Sequence, residues 1–472
     1  MAKKKKSDLL YIMNPNCGWC KKADPVVDEL KKDGHKITTL NVTEATDGKK
    51  ASEVKSKYNL QCGTPLFLDA ETGNSVCGFR DKEILSKWAN GEEIPAPPPR
   101  PERPAGPVDR MMKLEYIWVD GENSKSIRSK VKFENLKLRD PQSNNMGEIH
   151  QQILSQIPEW SFDGSSTNQA KTENSDLVLK PIKLYPNVMN MSQKNSTPSW
   201  FVFCEVYNTD GTPHETNSRD KLKNYIEDFD NDLVVGFEQE YVFWNDKYSV
   251  PAGWEGSNEP TDITSPSKEG SYYCGSGGDV GVFRNLVETH VTLCQQSMIH
   301  LEGYNAEVLK SQWEYQTQPK PLLRAADDLW MSRFILTRIA ETRGLGVSFE
   351  PKPVEGNNNG SGCHVNFSNS KMRGDESTEY IESFCEELAL NHDKAISVSG
   401  FDNDKRLTGE NETSSYDKFT YGESDRGASV RLPLKGDYIE DRRPSANVDP
   451  YEFLLNLCEV ANEVNSKTLV KA

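Results

Sequence analysis

Pro95-Ala-Pro-Pro-Pro-Arg-Pro-Glu-Arg-Pro-Ala-Gly-Pro107 holds seven prolines in thirteen positions. Proline fixes φ and has no backbone N–H, so neither a helix nor a sheet ladder runs through such a stretch. It reads as a semi-rigid extended linker, and the chain on either side must fold as separate pieces. Residues 1–94 carry a net charge of +2, whereas the remainder carries −18. Two pieces of different charge joined by a proline rod read as a fusion of separately folding units. A length of 472 residues also exceeds one ordinary core and leads us to expect about three domains. The expected division is a first unit over 1–94, a linker over 95–112, a small β-rich domain over 113–212 and a large α/β domain over 213–472.

Composition then removes several function classes. Hydrophobic residues at 35% and charged residues at 27% describe a globular chain. No apolar run approaches the roughly 18 residues that span a bilayer, so no membrane partner is expected. The net charge of −16 argues against nucleic acid, whose phosphates are bound by basic faces. It leaves room for anionic substrates, because local arginines or metal ions reverse the field. The basic start, Met1-Ala-Lys-Lys-Lys-Lys-Ser7, has no secretory apolar core behind it. Ten cysteines form no tight disulfide framework, and the expected compartment is the reducing cytoplasm.

The first unit alternates strand and helix. Leu9 to Met13 reads as a buried strand, and Lys21 to Lys32 places Ala23, Val26, Val27 and Leu30 at helical spacing. His35 to Val42 alternates as a strand, and Gly48 to Tyr58 is helix-like. Leu66 to Leu68 and Val76 to Phe79 flank a hairpin signal at Glu71-Thr-Gly-Asn74, and a last helix runs through Ile84, Leu85 and Trp88. Asn14-Pro-Asn-Cys17-Gly-Trp-Cys20 sets a Cys-x-x-Cys at a strand-to-helix junction, where a helix N-terminus lowers the pKa of the first thiol. The second thiol is near enough to resolve a mixed disulfide.

This order of elements, with Gly63-Thr-Pro65 before a strand, resembles the thioredoxin/glutaredoxin family over roughly residues 8–92. The resemblance implies that Pro65 is a cis-proline packed beside Cys17 and Cys20, and that the two cysteines form a reversible disulfide. Gly-Trp is neither of that family's usual dipeptides, which leaves the thiol donor open. Two alternatives stand beside it: a zinc site using Cys62 and Cys77 as well, and a redox-silent docking domain.

The second unit carries glutamates in unusual places. Glu238 and Glu240 are two apart in the strongly β-prone Val234-Val-Gly-Phe-Glu-Gln-Glu-Tyr-Val-Phe243, so both point to one face of a strand. Paired carboxylates on one face repel unless a cation lies between them. Glu307 and Glu314 repeat the theme, His364 follows the glycine-rich Gly360-Ser-Gly-Cys, and Glu440 stands next to Arg442 and Arg443. Oxygen-rich sites with an occasional imidazole suit Mg²⁺ or Mn²⁺. Arginines at 406, 426, 431, 442 and 443 suit a phosphate or carboxylate meeting that metal. Metal and arginine around anions is the chemistry of phosphoryl transfer.

Eleven motifs follow in order over the second unit: Trp160-Ser-Phe-Asp163-Gly-Ser-Ser-Thr167, Glu238-Gln-Glu240-Tyr, Tyr272-Tyr-Cys-Gly275, Asn305-Ala-Glu307, Gln312-Trp-Glu314, Asp327-Asp-Leu-Trp330, Pro351-Lys-Pro353, Gly362-Cys-His364-Val-Asn-Phe, Arg406-Leu-Thr-Gly409, Arg426-Gly-Ala-Ser-Val-Arg431 and Glu440-Asp-Arg-Arg-Pro-Ser-Ala-Asn447. Together they resemble the glutamine synthetase family, in its eukaryotic (type II) form, over about residues 113–460. The resemblance implies a small β-grasp-like domain followed by a large α/β catalytic domain. It also implies ligation of ammonia to L-glutamate with ATP through a γ-glutamyl phosphate.

By this resemblance Glu240, Glu307 and Glu314 hold one divalent metal, and Glu238, His364 and Glu440 the second. Arg426, Arg431 and Arg442 grip the phosphoryl group and nucleotide, and Arg406 clamps substrate glutamate. Asp163 binds ammonium and helps remove its proton, and Glu412 is the flap that closes over the site. The Asp163 loop comes from a neighbouring subunit, which implies a homo-oligomer, a decamer of two pentameric rings. Departures from the family pattern are Asn358 in place of a tryptophan, Asn411 in place of a histidine, and the segment Val250–Glu269. The competing readings are a non-catalytic structural homologue and a related ligase using another amine.

Overall fold

A computed structural model describes residues 8–94, 107–138, 146–190, 197–227, 232–247, 249–254, 272–277, 283–356, 358–375, 377–434 and 436–471. The lysine-rich start, most of the proline stretch and most of Val250–Glu269 lie outside the described residues. The chain divides into two compact units, Met1–Arg103 and Pro104–Ala472.

In the first unit the elements run β1 (Leu9–Met13), α1 (Gly18–Lys32), β2 (Ile37–Asn41), α2 (Ala45–Lys57), β3 (Leu66–Asp69), β4 (Ser75–Cys77) and α3 (Lys82–Ala89). The sheet order is β2-β1-β3-β4, with β1 parallel to β2 and antiparallel to β3. Strand β1 is apolar at successive positions because both its faces are covered. Leu9 and Tyr11 join a core with Val27 and Trp88, while Leu10 and Ile12 join one with Ala51 and Leu68. Helix α1 starts three residues before the apolar pattern shows it, because Cys17 caps it: the Cys20 N–H donates to Cys17 Sγ at 3.4 Å. Cys62 and Cys77 form a disulfide, with Cα atoms 5.7 Å apart, an ordinary span for such a bond. That pairing removes two of the four thiols a zinc site would need and is a disulfide that the cysteine spacing did not indicate.

The second unit begins with β5 (Val108–Val119), β6 (Ile127–Leu138), α4 (Met146–Leu154), β7 (Trp160–Asp163), β8 (Asp176–Pro186) and β9 (Ser199–Tyr207), in the sheet order β6-β5-β9-β8-β7. Strand β5 starts at Val108, inside the stretch expected to be linker, because twelve register pairs with β6 run from Val108↔Leu138 to Val119↔Ile127. Met112, Leu114 and Tyr116 alternate inward to a core with Leu179 and Val202.

The rest of the unit holds α5 (Ser218–Glu227), β10 (Val234–Asn245), β11 (Val250–Pro251), α6 (Arg284–Gln296), β12 (Leu301–Ala306), β13 (Gln312–Thr317), β14 (Lys320–Pro321), α7 (Leu322–Glu341), β15 (Gly346–Ser348), β16 (Cys363–Ser368), α8 (Ser377–Leu390), α9 (His392–Ser397), β17 (Tyr421–Glu423), β18 (Val430–Leu432), β19 (Ile439–Asp441) and α10 (Pro450–Lys471). The sheet order is β12-β13-β10-β16-β19-β18-β17, with β11, β14 and β15 pairing to β10. Helices α8 and α9 follow one another almost directly, with Asn391 as the N-cap of the second. No gap falls at residue 213: Ile117, Phe201 and Phe203 of the small sheet share one core with Phe237, Trp330 and Leu454. Lys183 also binds Asp327 at 3.1 Å, and Arg219 binds Glu205 at 2.6 Å, across that boundary. Among the described residues no helix is long and apolar enough to cross a membrane.

Candidate active site

The site is built from strand alternation and register. Glu238 and Glu240 point to one face of β10, the central strand. On one side β13 sets Glu314 opposite Glu240. On the other, β16 sets His364 opposite Glu238, and β19 brings Glu440 opposite Asn366, two residues further along. Glu307 stands just beyond β12, its N–H donating to the Gln312 carbonyl at 2.9 Å.

Two groups of potential ligand atoms result, each within 4.8 Å: Glu238, His364 and Glu440, and Glu240, Glu314 and His364. His364 Nδ1 is 3.4 Å from Glu238 and 3.5 Å from Glu440, while Nε2 is 3.9 Å from Glu240. The first group is the triad expected of one metal. In the second, His364 joins Glu240 and Glu314, and Glu307 lies beside the group without belonging to it. Gly362 permits this packing: a Cβ there would lie 2.8 Å from His364 Nε2.

The carboxylates of this group crowd and repel one another. Burial pushes Glu314 well above the ordinary carboxylate range, and the charges of Glu238, Glu240 and Glu307 push it further. Burial and then the Glu240 charge raise Glu307 to about 8. Burial acts the same way on Glu238, but the His364 hydrogen bond and charge, Asn366 and Arg442 outweigh it and hold that carboxyl at about 2. Carboxylates crowded into a buried cleft with one imidazole are a donor set fitted to hard divalent cations.

Side-chain amides hold the carboxylates in place, and these were missed in the sequence. Gln312 donates to Glu240 Oε2 at 3.1 Å, Asn366 to Glu238 Oε1 at 2.8 Å, and Asn305 to Glu307 Oε1 at 2.8 Å. Gln316 donates to Glu314. Each amide sits two residues from a site residue, so Gln312-x-Glu314-x-Gln316, His364-x-Asn366 and Asn305-x-Glu307 carry the period-2 signal that would have found them.

The arginines divide. Arg442 Nη1 donates to Glu440 Oε1 at 2.7 Å, and Arg431 also pairs with Glu440. Arg406 is buried, and burial lowers its pKa to about 10. Its Nη2 donates to the carbonyls of Arg442, Arg443 and Pro444 at 3.0, 2.6 and 3.0 Å, which leaves Nη1 on the side of Gly362. Arg443 is bound to Asp441 at 2.6 Å, away from the cleft. Arg426 is exposed.

A cleft is lined by Glu240, Glu307, His364, Arg406, Asn411, Glu412 and Arg442, with Gln312, Asn359, Gly360 and Thr413. Asn411 and Glu412 both take left-handed backbone, φ 52° and 61°, which strains a non-glycine residue. Glu412 is exposed, and its charge acts on Glu307. Asn358 lies outside the lining, its amide donating to the Glu355 carbonyl at 2.9 Å.

Asp163 is not among the residues lining this cleft. It ends β7 on the surface, where hydrogen bonds from Ser165 and Ser166, whose hydroxyls donate at 2.7 Å each, hold its carboxyl at about 2.

In the first unit, Cys17 Sγ donates to the Thr64 carbonyl at 3.4 Å, and the Thr64–Pro65 peptide is cis. The Cys20 N–H, foremost, and the Cys20 thiol lower the Cys17 pKa, whereas burial raises that of Cys20.

The catalytic-domain family of glutamine synthetase matches residues 216–456. Glutamine synthetase of Schizosaccharomyces pombe is 41% identical over 351 residues, 73% of this chain and 90% of that protein. The enzyme of Neurospora crassa is 40% identical over 355 residues, 74% of this chain and 91% of its own length. That of Saccharomyces cerevisiae is 38% identical over 364 residues, 76% and 91% of the two chains. With matches that span nearly the whole of these relatives, and a carboxylate cleft at the heart of the matched region, this chain belongs to the glutamine synthetase family and is an enzyme.

Proposed function

We propose that the second unit joins ammonia to L-glutamate at the expense of ATP, through a γ-glutamyl phosphate. The observation that carries this reading is the meeting of Glu238, Glu240, Glu314 and Glu440 around His364, with Arg442 and Arg431 behind Glu440. Glu238, His364 and Glu440 would hold one divalent cation, and Glu240, Glu314 and Glu307 the other, with Mg²⁺ or Mn²⁺ as the ions of choice. Such cations, when bound, neutralise the phosphates and the substrate carboxylate so that two anions can approach.

The chain's own groups then have distinct tasks. Arg406 faces the cleft with Nη1 and binds the glutamate carboxylate. Arg442, Arg431 and Arg426 bind the transferring phosphoryl group and nucleotide, where fixed positive charge stabilises the transition state. The γ-carboxylate oxygen attacks the terminal phosphorus of ATP, and ADP leaves. Asp163, kept ionised by its two serines, binds ammonium and takes its proton. The freed ammonia attacks the γ-carbon and phosphate departs. Glu412 closes over the cleft, because an acyl phosphate open to water hydrolyses.

Asp163 serves the cleft of a neighbouring subunit in this reading, which is supported by its absence from the lining of its own. Met111, Val131 and Phe133 lie exposed on one face of the β5–β6 edge, an apolar patch suited to an interface. The assembly we propose is a decamer of two pentameric rings. Eight free thiols among ten cysteines suit a cytoplasmic protein.

For the first unit we propose a thioredoxin-like domain in which Cys17 and Cys20 form a reversible disulfide. The strand order, the cysteine-capped helix and the cis-proline beside Cys17 support it.

The test is glutamine formed and phosphate released with Mg²⁺, ATP and glutamate, comparing ammonia with methylamine. We expect one glutamine per phosphate and a strong preference for ammonia. Preference for methylamine would favour a ligase for another amine.

A further inference from the structure

We propose that the Cys62–Cys77 disulfide is a second redox pair of the first unit, exchanging directly with Cys17 and Cys20. The proposal rests on the reading of Cys17 and Cys20 as a redox couple, and it assigns a function to two cysteines that this reading leaves idle.

Both pairs border one loop. Thr64, whose carbonyl accepts the Cys17 thiol at 3.4 Å, is two residues from Cys62, so their Cα atoms are at most about 7 Å apart. Cys77 lies across the sheet from the same loop: it pairs with Leu66, and the Gly78 N–H donates to the Pro65 carbonyl at 2.9 Å. The Phe79 ring stacks on Trp19, between the two reactive cysteines, with centroids 6.4 Å apart. Two separate contacts therefore tie the ends of the disulfide to the Cys-x-x-Cys turn. Residues Leu60 to Gly63 belong to no helix or strand, so a shift of Cys62 breaks no ladder hydrogen bond and is opposed by the Lys55 bond to its carbonyl and by its packing on the core. Cys62 is partly exposed and Cys77 exposed. An exposed disulfide is the labile kind, and a solvated Cys77 is a competent leaving group.

The exchange closes on itself. The Cys17 thiolate attacks Cys62 Sγ, a Cys17–Cys62 bond forms, the Cys62–Cys77 bond breaks, and the electron pair leaves on Cys77. The Cys20 thiol then loses its proton and attacks Cys17 Sγ, which releases Cys62 as a thiolate. That proton ends on Cys77, and the one first shed by Cys17 ends on Cys62. One disulfide is consumed and one is made, with no external oxidant. The unit can hold two disulfides or four thiols, and reduction of either pair reaches the other.

The experiment uses the full chain, acid quenching and disulfide mapping by mass spectrometry. Replacing the resolving thiol, Cys20→Ser, stalls the exchange, so we expect a linked Cys17–Cys62 peptide that is absent from Cys17→Ser. In the parent, incubated without oxidant from a state with only Cys62–Cys77 closed, Cys17–Cys20 disulfide should appear with an equal loss of Cys62–Cys77. No linked peptide and no such loss overturn the proposal. Oxidised glutathione, added separately, distinguishes the two failures. If it closes Cys17–Cys20 while neither exchange signal appears, only the relay falls. If it cannot close that pair, the redox reading falls with it.

Discussion

Glu314 is buried among three other acids and opposite Glu240 on the next strand. A neutral side chain there relieves repulsion and removes a ligand at once. Glu314→Ala should therefore leave the chain folded and assembled, abolish glutamine synthesis, and lose part of the thermal stabilisation that Mg²⁺ gives the parent. A cation at a hundredfold excess over its Kd stabilises by about 2.7 kcal/mol, so the parent should melt several degrees higher with Mg²⁺ than with a chelator. Near-normal turnover of the variant at millimolar Mg²⁺ would sink the ligand assignment. Cys17 yields a second prediction at this scale. Its pKa is lowered, chiefly by the Cys20 N–H, and a lowered thiol reaches its full thiolate fraction at lower pH. Iodoacetamide should label Cys17 ahead of Cys20 at pH 7, with a rate that levels off below the pH range of an ordinary thiol. Equal labelling of the two cysteines contradicts this.

At the scale of elements, the glycine-rich turn into β16 decides where His364 stands. Gly362→Ala places a methyl 2.8 Å from Nε2, too close for the ring to keep its position between Glu238, Glu440 and Glu240. We expect at least about a tenfold loss of kcat, the cost of roughly 1.4 kcal/mol in transition-state stabilisation, with far-ultraviolet circular dichroism unchanged. Unaltered kinetics would mean that the imidazole does not serve the site. The same strands show what a sequence can and cannot disclose. Glu238 and Glu240 were legible because a two-residue spacing in a β-prone run fixes a shared face. That Glu314 sits opposite Glu240, and His364 opposite Glu238, depends on register between segments far apart in the chain, which no local pattern carries. The joining of His364 to Glu240 and Glu314 was hidden for the same reason. Strands of the first unit read well because their apolar runs are short and bounded. Strand β6 did not: its alternating Lys130, Lys132 and Glu134 look like a solvated segment until β5 supplies the partner. The Cys62–Cys77 bond likewise depends on a loop meeting a hairpin.

At the scale of the whole molecule, Asp163 lies outside the cleft of its own chain, so we expect a site shared between subunits. Asp163→Ala and Glu314→Ala chains, each inactive alone, should regain part of the activity when co-assembled, because some interfaces then pair an intact Asp163 with an intact cleft. Confirmed mixed assemblies without recovered activity count against a shared site. All of this depends on one chemical claim, that the cleft transfers phosphate to the γ-carboxylate of glutamate before ammonia arrives. Glutamate labelled with ¹⁸O in that carboxylate tests it most directly. The account predicts that each phosphate released during glutamine formation carries one labelled oxygen, and that Glu314→Ala releases none. Glutamine formed alongside unlabelled phosphate would contradict it.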